Sequence, residues 1–306
     1  MKLIGASFFL LFTMLTSCKQ DAKSLKRSIV RDNAIIDYNI YGEGGNTLLY
    51  VHDVFLDQTS WEEQVNHFSP DYTVVTIDLP GHGKSGRERS LWSVEGFAYD
   101  VNTVIRQLKL KNVILIGHGL GAEVNLLAAI HRPKDIIGYI AIESFKNVGV
   151  KRTKRSQKDV NLQLKKLNLE FASSNERYLR KNLISIKTSD TIITKVANRY
   201  RNGFAPMGKA ILPELFEANK SEKKSLPLLK WKLHLINVDY TKTKEKPLKK
   251  YAPKGYDIQR FEGTSHFPMF ENSKALNRNL QWAIDEIARE NERFQYRNDD
   301  TIQSQS

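Results

Sequence analysis

Ile114-Leu115-Ile116-Gly117-His118-Gly119-Leu120-Gly121-Ala122 runs from a short apolar stretch directly into a helical pattern. Val113–Ile116 is continuously apolar, as a strand covered on both faces requires. Gly121 to His131 then has the spacing of a helix. The three glycines between them allow a tight turn and a close approach of helix to strand. Strand, turn and helix in this order form the unit of a parallel α/β sheet.

The pattern repeats on both sides of this segment. Ala34–Ile40, Thr47–Val51 and Tyr72–Ile77 read as strands before it, and Ile136–Ile142, Leu233–Ile236 and Tyr256–Phe261 after it. Val94–Leu108 and Ser273–Ile287 read as helices. The expected fold class is α/β, with a mostly parallel twisted sheet and helices on both faces. At 306 residues, 41% hydrophobic and 26% charged, the chain suits one large domain with an insertion.

That insertion is expected at about residues 145–232, where the strand rhythm stops and the pattern becomes helical and basic. It holds 21 Lys/Arg against 7 Asp/Glu, a surplus of 14 beside a net charge of +13 for the whole chain. Lys151-Arg152-Thr153-Lys154-Arg155 suits anionic headgroups, and equally a plain solvated face. Residues 291–306 lack apolar periodicity and are expected to fray as a polar tail.

Several motifs resemble the α/β-hydrolase superfamily. Asp78-Leu79-Pro80-Gly81-His82-Gly83-Lys84-Ser85 resembles its signature loop after the fourth strand, and Gly117-His118-Gly119-Leu120-Gly121 resembles its nucleophile elbow, G-x-S-x-G. Phe261-Glu262-Gly263-Thr264-Ser265-His266-Phe267-Pro268-Met269 is similar to the histidine loop, which implies His266 as general base. Leu235–Thr241 resembles the acid turn, which implies Asp239 as the residue orienting that histidine, with Glu143 as the alternative acid. Val51-His52-Asp53-Val54-Phe55 aligns with the family's His-Gly turn, which implies Val54 (or Phe55) and Leu120 as the backbone oxyanion donors.

Three positions depart from that pattern, the mildest being Ala122, which replaces a commonly seen glycine at the helix start. Gly119 stands where the family has its serine, so neither attack on a carbonyl nor an acyl intermediate is available there. Asp53 replaces the glycine of the His-Gly turn. The expectation is a catalytically silent pseudo-hydrolase that binds a small-molecule or acyl ligand. The alternative is a hydrolase, of carboxylic-ester or noncovalent water-activating type, working through His266 and Asp239.

Met1–Ser17 has a positive start and an apolar run too short to span a bilayer, as in a secretory signal. Leu15-Thr16-Ser17-Cys18 resembles the bacterial lipobox, which implies acylation of Cys18 and a lipid-anchored protein exported to the cell envelope. Residues 18–27 read as a tether and 28–290 as the domain. The chain carries no metal, nucleotide or nucleic-acid motif, so no cofactor and no nucleic-acid partner are expected. Cys18 is the sole cysteine, which excludes an intramolecular disulfide.

Overall fold

The computed structural model describes residues 27–131 and 134–303; the signal segment, Cys18 and most of the tether lie outside the described residues. Eight strands form one sheet: β1 (Arg27–Arg31), β2 (Ala34–Tyr41), β3 (Thr47–Val51), β4 (Thr73–Ile77), β5 (Val113–His118), β6 (Ile136–Ile142), β7 (Leu233–Val238) and β8 (Tyr256–Phe261). Their order is β1-β2-β4-β3-β5-β6-β7-β8. β1 and β2 run antiparallel to their neighbours, and the strands from β4 through β8 are parallel.

The helices are α1 (Glu62–Phe68), α2 (Val94–Gln107), α3 (Leu120–His131), α4 (Lys154–Leu169), α5 (Phe171–Asn182), α6 (Asp190–Arg201), α7 (Ala205–Phe216), α8 (Ala218–Ser225), α9 (Glu245–Tyr251), α10 (Pro268–Glu271) and α11 (Ser273–Gln303). Side chains alternate across a strand, and β6 shows what each face meets. A side chain at Gly138 would strike Ile287 of α11, while the Tyr139 hydroxyl on the other face donates to the Ala122 carbonyl of α3 at 2.7 Å. β3, β5 and β7 are buried along their whole length, which explains their unbroken apolar runs.

The insertion between β6 and β7 is helical, as expected, and α4 to α8 fill it. Its α6 packs over the ends of the strands. The Arg199 guanidinium donates to the Ser60 hydroxyl at 3.1 Å and the Thr59 hydroxyl at 2.8 Å, and the Tyr200 ring lies 5.2 Å from that of Phe55. The strand β1 was not expected, because Arg27 and Arg31 bracket only three less polar residues; it is held by backbone pairing to β2.

The expected polar tail differs too. α11 continues without interruption past Glu290 to Gln303. No glycine or proline falls between Ser273 and Gln303. The apolar stripe that signals burial stops, but the backbone has no reason to leave the helix there.

Candidate functional site

The site lies where the ends of β3, β5, β6 and β8 meet beneath the insertion. β5 ends at His118, and Gly119 follows with φ of +51°, the left-handed backbone that favours glycine. The chain then enters α3 at Leu120. Gly121 is a close approach in its own right: a side chain there would lie 2.1 Å from the Val51 carbonyl oxygen. The elbow therefore has its full backbone form and lacks only the nucleophile's side chain.

A carboxylate from the neighbouring strand fills that place. A Cβ built on Gly119 would lie 2.1 Å from Asp53 Oδ1 and 2.3 Å from its Cγ. Asp53 is 3% exposed and points inward from the turn after β3. The preceding His52 fixes that turn: its Nδ1 pairs with the Asp53 carbonyl at 2.8 Å and its Nε2 accepts the Leu79 N–H at 3.0 Å. Asp53 Oδ1 accepts the Leu120 N–H at 2.7 Å, and Oδ2 faces His266 Nε2 at 3.0 Å. The Tyr200 hydroxyl donates to Oδ2 at 3.4 Å.

The expected oxyanion hole is thus changed. Leu120 supplies an inward N–H, but the Asp53 carboxylate already occupies it. Val54 is buried beside it, and Phe55 takes a φ of +62°. An external oxyanion would meet this carboxylate before it met the donor.

His266 is also placed differently with respect to its acid. Its Nδ1 lies 3.4 Å from Glu143 Oε2 and 3.4 Å from the Tyr240 hydroxyl. Asp239, the acid expected first, is exposed on the loop after β7, and the alternative Glu143 is the one that faces the imidazole. The reason is local. Glu143 follows β6 with φ of +55°, and its other oxygen accepts the Val238 N–H, which turns the carboxylate into the site. A non-glycine residue held at positive φ costs about 1–3 kcal/mol and persists only when surrounding bonds over-determine it. Lys146 Nζ, 2.9 Å from Glu143 Oε2, is one of those bonds.

These contacts set the protonation of the site. Burial works against the imidazolium, but hydrogen bonds and charge from Asp53 and Glu143 push His266 up to about 9. Burial likewise opposes the Asp53 carboxylate, yet the His266 and Leu120 hydrogen bonds hold it well below the usual range. Glu143 is lowered as well: burial opposes its charge, and His266 and Lys146 more than offset that. The resting site at neutral pH is an imidazolium between two carboxylates. His118, by contrast, is driven down to about 4, first by burial and then by the charge of His266. Its Nε2–H donates to the His266 carbonyl at 2.7 Å, which ties the histidine loop to the elbow.

Asp53, His118 and His266 each offer one ligand atom, and these lie within 4.8 Å of one another. A cation in that cluster would stand in place of the proton between Asp53 and His266. A cleft of about 180 Å³ lies nearby, lined by Phe55, His82, Arg87, Arg199 and Phe204. A larger one of about 680 Å³, beside Asn39, Gln58 and Asp78, includes none of Asp53, Glu143 and His266 in its lining.

Asp53 is the residue at the centre of this cluster that sequence reasoning left without a role of its own. Its signal was a carboxylate where the family pattern has glycine, but only the fold shows that it points at Gly119.

Comparison with known proteins gives the wider context. A family profile described as "alpha/beta hydrolase fold" matches residues 40–202. The chain is 32% identical over 98 residues to the Karrikin insensitive 2 receptor CA of Petunia hybrida, covering 31% of this chain and 36% of that protein. It is 30% identical over 111 residues to the (E)-2-((N-methylformamido)methylene)succinate hydrolase of Acinetobacter baylyi, covering 36% of this chain and 41% of that protein. The chain thus spans well under half the length of these relatives. Among solved structures, a hydrolase from Oleispira antarctica superposes with a TM-score of 0.71 at 19% identity, covering 82% of this chain and 94% of that one.

Proposed function

Because the chain belongs to the α/β-hydrolase family, we propose that it is a small-molecule hydrolase that works without a serine. Asp53, His266 and Glu143 are its reacting set. One observation carries this reading: the Asp53 carboxylate occupies the space of a side chain at Gly119, 3.0 Å from His266 Nε2. In a serine hydrolase the histidine rests neutral and removes a proton from the hydroxyl. Here the resting pair is a carboxylate, which can act as base or nucleophile, and an imidazolium, which can act as acid. Glu143 holds the imidazole from behind, and Lys146 balances the second carboxylate.

The test uses turnover of p-nitrophenyl acetate, p-nitrophenyl butyrate and styrene oxide by the purified chain. Asp53→Asn and His266→Gln are each expected to reduce turnover by at least about 10²-fold, the low end of what acid–base groups contribute. A fluorophosphonate probe is expected to leave the parent unlabelled. Turnover unchanged in both variants would sink the reading. The second reading is a silent binding protein. What favours it is the same ion pair, which closes the elbow, together with the receptor names among the relatives; a ligand that raises the melting temperature without being turned over would support it.

We also propose that acylation of Cys18 tethers the domain to a membrane of the bacterial envelope. The sequence Leu15–Cys18 supports this, and Cys18→Ala is expected to release the protein from the membrane fraction. Fatty-acid labelling that persists in that variant would refute the anchor.

A further inference from the structure

We infer that the outer face of α4 is a docking surface for an anionic lipid bilayer, and that it fixes which way round the tethered domain sits on the membrane. The membrane setting rests on the reading of Cys18 as a lipid anchor; the surface itself follows from α4.

α4 has two opposed faces. Val160, Leu164 and Leu167 recur at helical spacing and turn inward, where Leu167 is buried and Leu164 packs against the core. Arg155, Lys158, Leu162, Lys165 and Leu169 recur in alternating steps of three and four on the other side, and all five are exposed. Leu162 is 49% and Leu169 74% exposed.

The protein does not neutralise this face. On α5 and α6 the arginines are matched by acids, Arg177 by Glu170 and both Arg180 and Arg201 by Glu176. Among the described residues Arg155, Lys158 and Lys165 form no ion pair. The whole helix sets Lys154, Arg155, Lys158, Lys165 and Lys166 against Asp159 alone. Lys154 and Arg155 stand in its first turn, which has no acid. Positive charge there opposes the helix macrodipole, a cost that an anion outside the protein offsets.

The leucines select the kind of anion. A face that merely meets water needs the cations and gains nothing from Leu162 and Leu169. An anionic polysaccharide would pair with the cations and still leave both leucines in water. A bilayer takes both: each cation near an anionic surface gains about fivefold in partitioning, and apolar side chains among the cations enter the headgroup boundary.

The tether joins the domain at the same end. Arg27 pairs with Tyr38, and Tyr38 with Ile77, the last residue of β4. β1 therefore begins level with the strand ends that the insertion covers. Four strand spacings, about 19 Å, separate β1 from β5 at the site. The nine residues from Cys18 to Arg27 reach up to about 30 Å. An acyl chain on Cys18 can therefore enter the bilayer that α4 meets.

The test places an environment-sensitive NBD fluorophore on Leu162→Cys in the full-length chain, with Cys18→Ala so that the label has one thiol and no acyl chain contributes. With vesicles of equimolar phosphatidylglycerol and phosphatidylcholine, the emission is expected to shift to the blue and brighten. Phosphatidylcholine alone is expected to leave it unchanged, and high salt to abolish the shift. Replacing Arg155, Lys158 and Lys165 together with Gln is expected to raise the lipid concentration at half-shift by about 10²-fold. The same replacement at Lys134, Lys230 and Lys254, exposed at the opposite end of the sheet, is expected to change it by no more than about twofold, because charges far from the surface are screened. An equal loss in the two triple variants would assign the binding to net charge and overturn the surface. No shift on either vesicle, or the same shift on both, overturns it as well. So does a shift with dextran sulfate and none with vesicles, which would make the partner a polysaccharide. If the vesicle results hold and fatty-acid labelling shows no acyl group on Cys18, the anchor reading fails and the docking face stands.

Discussion

The turns that end β3 and β5 sit side by side on neighbouring parallel strands, and only the first sends a side chain into the space between them. After β5 the elbow keeps its positive φ at Gly119 and presents no side chain. After β3 the turn carries Asp53, whose carboxylate enters the volume that Gly119 leaves. Taken alone, the first departure from the hydrolase pattern looks like loss of chemistry, and the second like damage to an oxyanion hole. Together they keep a polar side chain at one point in space but attach it to the neighbouring strand. A Cβ on Gly119 and this carboxylate exclude each other, so the two positions form a single unit.

The largest expected effect comes from removing the Asp53 carboxylate. Asp53→Ala leaves His266 with Glu143 as its one carboxylate, and breaking a buried ion pair from one side costs about 3–5 kcal/mol. Denaturant titration near pH 7 measures it. A loss under about 1 kcal/mol would mean that the carboxylate does not hold the two turns together.

The pH dependence follows closely in size. His266 rises from 6.5 to about 9 on folding. Its contribution is therefore complete below about 6.5 and is lost as pH rises through about 9. At 1.36 kcal/mol per unit this amounts to about 3 kcal/mol. Denaturation midpoints between pH 6 and 10 are expected to fall in the parent and to flatten in Asp53→Ala. Equal slopes in the two would detach the histidine from Asp53.

A smaller effect tests the exclusion itself. Gly119→Ser drives a side chain into the Asp53 carboxylate and breaks its bond to the Leu120 N–H. In an Asp53→Gly background the same change meets only the backbone strain of the elbow. The double-mutant cycle is expected to show a coupling of about 1.5–3 kcal/mol, the worth of a hydrogen bond to a charged group. The double variant is also expected to take the fluorophosphonate label that the parent refuses. Additive losses with no labelling would show that the two turns are independent.

The smallest effect is expected at the acid that the sequence favoured. Asp239 is exposed, so Asp239→Asn is expected to change stability by no more than about 0.5 kcal/mol and to leave turnover unaltered. A large loss of turnover would return the orienting role to Asp239 and unsettle the placement of Glu143.

Local pattern was enough to read most of the scaffold. β3 and β6 lie at the boundaries that their apolar runs suggest, and α2 and α3 differ by about a residue. Burial on both faces of a parallel sheet writes itself into consecutive residues, so short windows reveal it. β1 escaped notice because pairing along a sheet edge needs backbone groups and few apolar side chains. The extension of α11 escaped because loss of an apolar stripe marks the end of burial rather than the end of a helix.

The sequence by itself determined the α/β scaffold, the helical insertion, the elbow without its serine and the histidine loop. Each of these is a property of contiguous residues: periodicity, glycine placement or a short motif. Only the tertiary structure decided that Asp53 points inward, that Glu143 and not Asp239 faces His266, and that Tyr200 reaches the site from the insertion. Those pairings join residues 213, 123 and 147 positions apart. Their distances depend on strand order and on the φ of single residues such as Glu143, which no local pattern carries.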